Sequence, residues 1–399
     1  MRAYLTVLSV PGALAFSAAG LLARFGNAML GIGMVLMVSG LYGRYGLAGG
    51  LAAANAVAWA VGTAFLSNLV DRYGQRRIML PAALVSAATL TGLVTAAVLH
   101  APVGWLFVFS ILCGFTFGSP GAMVRARWNY VLSSRDQLHT AFSLESTLDE
   151  VTFIVGPVVA TYLATHYHPV TGLIGPIILV AGGALVFYSL TSTEPGVAPP
   201  GPPAERSNRL ILGYPGIIPV LGVGLLMGGL FGSLDVTTVA ACTAWGARDK
   251  AGLVLAAMSA GSALGGLLYG SRGWASALWK RFVAGTSILG ATVLPVLFVG
   301  TPFWLGFFGF IAGFSIAPTF VNANGLIGRL VPGRRLTEGL AWLGTSIGIG
   351  VSIGSSVSGM MIDRFGYHGG FAAVLISGLA ACVLGLASIP VLRRLGQIG

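Results

Sequence analysis

Three carboxylates, Glu145, Asp149 and Glu150, fall inside one largely apolar stretch near residues 139–165 of the 399-residue chain. An ionised side chain at the centre of a membrane helix costs about 3 kcal/mol on insertion scales, so such residues carry a functional expectation by default. The chemistry open to them is reversible protonation. Glu145 and Asp149 are four apart and share one helix face, continued by Thr152 and Gly156. Glu150 points roughly 100° away. Counting along the stretch puts Glu145 towards one end, with Asp149 and Glu150 nearer mid-membrane. Arg24, in an earlier apolar stretch, lies at a comparable depth. One cation against two mid-depth carboxylates predicts that one pairs with Arg24 while the other is left to bind and release a proton. Glu150 is favoured for the mobile proton, because its face lacks the Glu145 and Thr152 companions of a static network. The competing reading is a satisfied structural network that also takes in Arg125 and Arg127.

Arg24 has alternatives of its own: it can snorkel to the interface or face a cavity and hold an anionic substrate group. Asp235 follows Gly224, Gly228 and Gly232 at helical spacing. It reads as a second titratable group, an external gate residue or a helix-end carboxylate near water. Asn27 and Asn322, with Asn55 and Asn324, offer hydrogen bonds to a cargo. Trp59, Trp342 and Tyr130 either line its path or face lipid.

These residues need elements that can hold charge in an apolar setting. The chain is 55% hydrophobic and 8% charged, with a mean hydropathy of +0.87. So few charges cannot cover a water-facing surface, and the solvent implied is lipid. The 60 glycines suit helices packed backbone to backbone in a bilayer. Twelve spans are predicted, near 14–40, 47–70, 78–99, 103–124, 139–165, 170–192, 215–238, 250–269, 282–300, 303–328, 337–361 and 369–392, each close to the length needed to cross the hydrocarbon. With the N-terminus inside, most of the 22 basic residues fall on the cytoplasmic side, from Arg2, Arg72, Arg76 and Arg77 through Arg206 and Arg209 to Arg393 and Arg394. Arg44, Arg248, Lys250 and Arg364 fall outside. That bias predicts both termini in the cytoplasm of a multi-pass protein of the inner (plasma) membrane. It also accounts for the net charge of +11 without a nucleic-acid partner. The first span is too long for a cleaved signal peptide and carries Arg24 and Asn27, so the N-terminus is expected to be retained. Cys113, Cys242 and Cys382 sit singly in separate spans, with no disulfide or metal spacing.

The longest polar break, within 192–213, reads STEPGVAPPGPPAERSNR, a water-exposed linker. It divides a six-span bundle at 1–192 from another at 214–399. GFTFGSP (114–120) recurs as GFSIAP (313–318), and two weaker matches keep nearly the same displacement: SNLVDRYG with GLLYGSRG, and IVGP with SIGS. The fold class expected is therefore all-α, with twelve transmembrane helices in two pseudo-symmetric six-helix bundles. In span 11, Gly344, Gly348, Ser352 and Ser356 form a small-residue face expected to pack on span 2.

Between spans 2 and 3 the chain reads Ser67-Asn68-Leu69-Val70-Asp71-Arg72-Tyr73-Gly74-Gln75-Arg76-Arg77. This resembles the signature loop of the major facilitator superfamily, roughly G-x-L-x-D-R-x-G-R-R. Asp71, Arg72, Gly74 and Arg76 stand on signature positions, and Ser67 replaces the first glycine. Gly74 permits a tight turn, and the arginines sit where they meet anionic headgroups. The resemblance implies that Asp71 faces the start of span 11, near Thr337 and Glu338, and holds the cytoplasmic side closed. The plainer reading is a topogenic loop with Asp71 as a local ion-pair partner. The second-half counterpart has Gly270 at that place, so such a latch is one-sided. Gly156-Pro157 resembles the core of a family motif linked to antiporters, but Val158, Val159 and Ala160 replace its further glycines. A simple proline kink serves equally.

The resemblance implies a secondary transporter working by alternating access. Three functions compete: proton-coupled efflux of a small amphipathic compound, proton symport of a nutrient, or a receptor or enzyme on a transporter-like scaffold. Efflux is favoured by the scarcity of polar residues in the spans. Enzymatic H-E-x-x-H, nucleophile-elbow and phosphate-loop patterns are missing from the sequence. The expected partners are a small-molecule substrate, protons and membrane lipids, with no cofactor or metal and a monomeric state.

Overall fold

The computed structural model describes residues 2–196, 211–270, 274–332 and 336–395, and these are helical almost throughout. Helices are what an apolar chain must form in lipid, because each backbone N–H and C=O then bonds within its own segment. They are α1 (Arg2–Leu8), α2 (Ala13–Tyr42), α3 (Tyr45–Tyr73), α4 (Gln75–Val98), α5 (Val103–Phe117), α6 (Pro120–Val131), α7 (Arg135–His166) and α8 (Thr171–Ser189). After the linker come α9 (Ile217–Ala244), α10 (Ala251–Gly270), α11 (Leu278–Thr292), α12 (Pro302–Leu330), α13 (Leu336–Phe365), α14 (Tyr367–Ala387) and α15 (Ile389–Leu395). Among the described residues twelve segments are long and apolar enough to span a membrane. Linker residues 197–210 lie outside the described residues.

Two crossings run well past their sequence reading. The seventh continues to Ala244 rather than ending near 238, so that Asp235 lies inside α9 and not at a helix end. The fourth extends over Val103–Val131 rather than stopping near 124. Gly118, with a φ of +67, breaks it into α5 and α6, and Pro120 starts the new helix. The polar run RARWNY, 125–130, lies just beyond the span predicted to end at 124. It is helical because Arg127 and Trp128 find buried partners.

The chain forms two compact units, Met1–Tyr42 with Ala54–Ala204, and Gly43–Ala53 with Glu205–Gly399. In the first, α2 packs against α7 and α8, and α4 against α5 and α8. Phe16, Met79, Trp128 and Phe187 are buried in its core. In the second, α13 packs along α9 and α12 along α10. The α9–α13 contact is built from glycine. A Cβ at Gly228 would overlap the Ile347 carbonyl, one at Gly232 that of Val351, and one at Gly354 that of Gly229. The α13 glycines that meet α9 are Gly350 and Gly354, off the predicted small-residue face, whereas on that face Ser352 Oγ donates to the Ala53 carbonyl of α3 at 3.0 Å. Gly344 faces open space. Gly232→Val is expected to cost about 1–3 kcal/mol of stability by overpacking. Gly344→Val should cost far less. Thermal unfolding of the two purified variants compares them directly, and equal midpoints would remove the packing argument.

Candidate functional site

The acidic cluster of α7 is answered by arginines from α2 and α6. Glu145, fully buried, forms an ion pair with Arg24, and its other oxygen accepts hydrogen bonds from Ser17 Oγ (2.6 Å) and Trp128 Nε1 (2.7 Å). Arg24 Nη1 also donates to Asp149 Oδ1 at 2.7 Å, and Arg125 Nη2 to Asp149 Oδ2 at 2.8 Å. Two guanidiniums therefore balance two carboxylates. Phe16 closes edge-on over Trp128, with ring centroids 4.7 Å apart. The one-turn spacing of Glu145 and Asp149 lets a single arginine reach both.

The charge count from sequence is corrected in one respect. Glu145, placed nearer the helix end, joins Arg24 as closely as Asp149 does, and Arg125 adds a second cation. Arg24 is buried at 7% exposure and committed to these partners, so it neither snorkels nor stands free for a substrate anion. Glu150 is half-buried and, among the described residues, has no hydrogen bond or ion pair. Asp235 in α9 is likewise half-buried and without a partner among the described residues.

Arg127 stands apart from the acids. Fully buried, it donates to Gln75 Oε1 (3.0 Å), the Leu190 carbonyl (2.7 Å) and Thr193 Oγ1 (2.9 Å), and stacks 3.9 Å over Phe187. Nearby, the Arg76 N–H donates to Glu194 Oε1 at 2.8 Å. These bonds tie the start of α4 to the turn after α8 and brace the signature loop from beneath. In that loop Gly74 adopts a φ of +90, and its N–H closes on the Val70 carbonyl at 2.8 Å. Asp71, Arg72 and Arg76 are exposed, and the Asp71 carboxylate has no partner among the described residues.

Of the cargo-contact candidates, Asn27 is half-buried in α2 without a hydrogen bond among the described residues. Asn322 is 1% exposed and accepts from Tyr269 Oη at 2.6 Å, while Arg281 Nη1 donates to Tyr269 Oη at 2.8 Å. Sequence reasoning missed Tyr269 and Arg281 because α10, α11 and α12 contribute one residue each to this triad. Arg281 Nε is buried without a hydrogen-bond partner. Trp59 bonds the Gly118 carbonyl at 2.7 Å, whereas Asn324, Tyr130 and Trp342 are exposed. No group of metal-ligating side chains forms among the described residues.

Membrane-length helices, a paired repeat and charges held inside the spans define a membrane transport protein of the secondary type. A profile of the Major Facilitator Superfamily matches residues 16–241 and 245–396, and the chain belongs to that family. Solved structures share the fold. The nucleoside transporter NupG aligns at 14% identity with a TM-score of 0.70, over 96% of this chain and 99% of its own. The POT family transporter PepTSo aligns at 11% and 0.75, over 98% and 99%. A peptide transporter POT in complex with sulfate aligns at 15% and 0.75, over 97% and 95%. Curated protein sequences contain no match.

Proposed function

We propose that the chain is a proton-coupled exporter of small amphipathic molecules, in which Glu150 and Asp235 take up and release the proton. One observation carries this reading: both are span carboxylates without a partner among the described residues, while Glu145 and Asp149 are consumed by arginines. An ionised carboxylate in an apolar setting needs a cation, water or a proton, and a proton taken up there removes the charge and can be released again at each turn of a cycle. Arg24, Arg125, Glu145 and Asp149 serve as the fixed frame that holds α7 beside α2 and α6. Asn27 in the first unit and the Arg281–Tyr269–Asn322 triad in the second are, each within its own unit, the candidate cargo contacts. The chain works as a monomer in the plasma membrane with both termini cytoplasmic, as its basic residues favour.

A second reading, uptake of a polar nutrient by proton symport, draws support from that same triad, whose cation suits an anionic group on the cargo. NupG and PepTSo, named for nucleoside and peptide transport, are reasons to include such compounds in a screen. The deciding experiment uses purified protein in liposomes with an imposed pH gradient, offered drugs, nucleosides, dipeptides and sugars. Accumulation against the proton flow supports export, and accumulation with it supports symport. If every transported compound ignores the gradient, proton coupling fails.

Asp71→Asn is expected to leave protein levels unchanged and to slow turnover severalfold, since an exposed carboxylate contributes little to folding. Wild-type turnover in the same vesicles would remove Asp71 from the gating cycle.

A further inference from the structure

The pentad that ends α3, Val70-Asp71-Arg72-Tyr73-Gly74, recurs in kind at the end of α13 as Ile362-Asp363-Arg364-Phe365-Gly366. The two ends also share a backbone form. Gly366 has a φ of +67 and its N–H closes on the Ile362 carbonyl at 2.8 Å, as Gly74 does on Val70. In the second copy the aspartate is engaged. The Tyr45 and Gly46 N–H groups, the first two of α3, donate to Asp363 Oδ1 and Oδ2, each at 2.8 Å. Glycine makes the reach possible. A Cβ on Gly359 would stand 2.5 Å from the Tyr45 carbonyl, and one on Gly46 would stand 2.6 Å from Asp363 Oδ2. One turn further along, a Cβ on Gly49 would overlap the Ser355 carbonyl. Only a bare backbone lets a side chain as short as aspartate span the gap.

We propose that Asp363 is a releasable fastening for the first turn of α3. Residues 45–53 of this unbroken helix group with the C-terminal unit, and its remainder with the N-terminal unit. The helix thus runs from one unit into the other, and the contact most easily surrendered at its start is a solvent-exposed carboxylate on two orphan N–H groups. Those N–H groups carry the positive end of the α3 dipole, so the bond is charge-assisted yet returns to water at little cost when it parts. The matching pentad at Asp71, exposed and without a partner among the described residues, is the same device in its released form.

The test is a distance rather than a transport rate, so it stands apart from the proton reading. Spin labels at positions 44 and 368, both exposed, report on the α3 start and the residues just after α13. Cys113, Cys242 and Cys382 are replaced by alanine in the full-length chain, which is then reconstituted in lipid. Asp363→Ala is expected to raise the ratio of long to short separations roughly fivefold, the scale of a carboxylate at an exposed helix N-terminus. Asp363→Asn keeps one acceptor and should fall between Ala and the parent, and it decides the matter alone if the alanine variant folds poorly. Asp71→Asn should not lengthen the 44–368 distance. Unchanged distributions in the Asp363 variants overturn the proposal, and so does equal lengthening by Asp71→Asn, which would mark general loosening.

Discussion

Glu145→Met is expected to destabilise the protein by about 3–5 kcal/mol, the scale of breaking a buried ion pair from one side. The loss goes beyond one contact. Arg24 is 7% exposed and would retain only Asp149 as an ion-pair partner, which Arg125 already shares, leaving a surplus cation inside the first unit. Ser17 and Trp128 would each lose an acceptor as well. Adding Arg24→Met removes the stranded charge, so the double variant should recover much of the loss. Monodisperse yield and thermal midpoint, measured on both singles and the double, close the cycle. A Glu145→Met variant that melts with the parent would show that the network does not hold α7 in place.

For Glu150→Gln and Asp235→Asn the expected pattern is the reverse: normal yield and lost coupling. Neither carboxylate has a partner among the described residues to strand, so folding should be nearly indifferent to the change. An amide cannot carry the proton, so gradient-driven accumulation should fall to the level of passive exchange while substrate binding persists. Flux and binding are recorded in the same vesicles for each single variant. If both variants still concentrate substrate as the parent does, neither residue carries the proton.

Much of the architecture was legible because apolar length and charge asymmetry are properties of the chain itself. The spans and the turn at Gly74 follow from local rules. The error over the fourth span was instructive. Arg125, Arg127 and Trp128 look like a water-facing run until Glu145, Asp149, Gln75 and Thr193 arrive from elsewhere in the fold to receive them. The same non-locality hid the Arg281–Tyr269–Asn322 triad, whose members stand on three helices. Asp363 was missed for another reason. Its resemblance to Asp71 lies between the ends of spans 11 and 2, outside the half-to-half displacement that relates the other repeats.

The glycine contact between α9 and α13 sets how force travels in the C-terminal unit. Most helix interfaces carry mechanical slack, because side chains change rotamer and absorb small slips. Where Gly228, Gly232 and Gly354 set backbone against backbone, there is no rotamer to spend. A tug at the far end of α13 is then not damped along its length, and α9 has to travel with it. The pair behaves as one stiff rod, with Asp235 on one helix and Asp363 on the other.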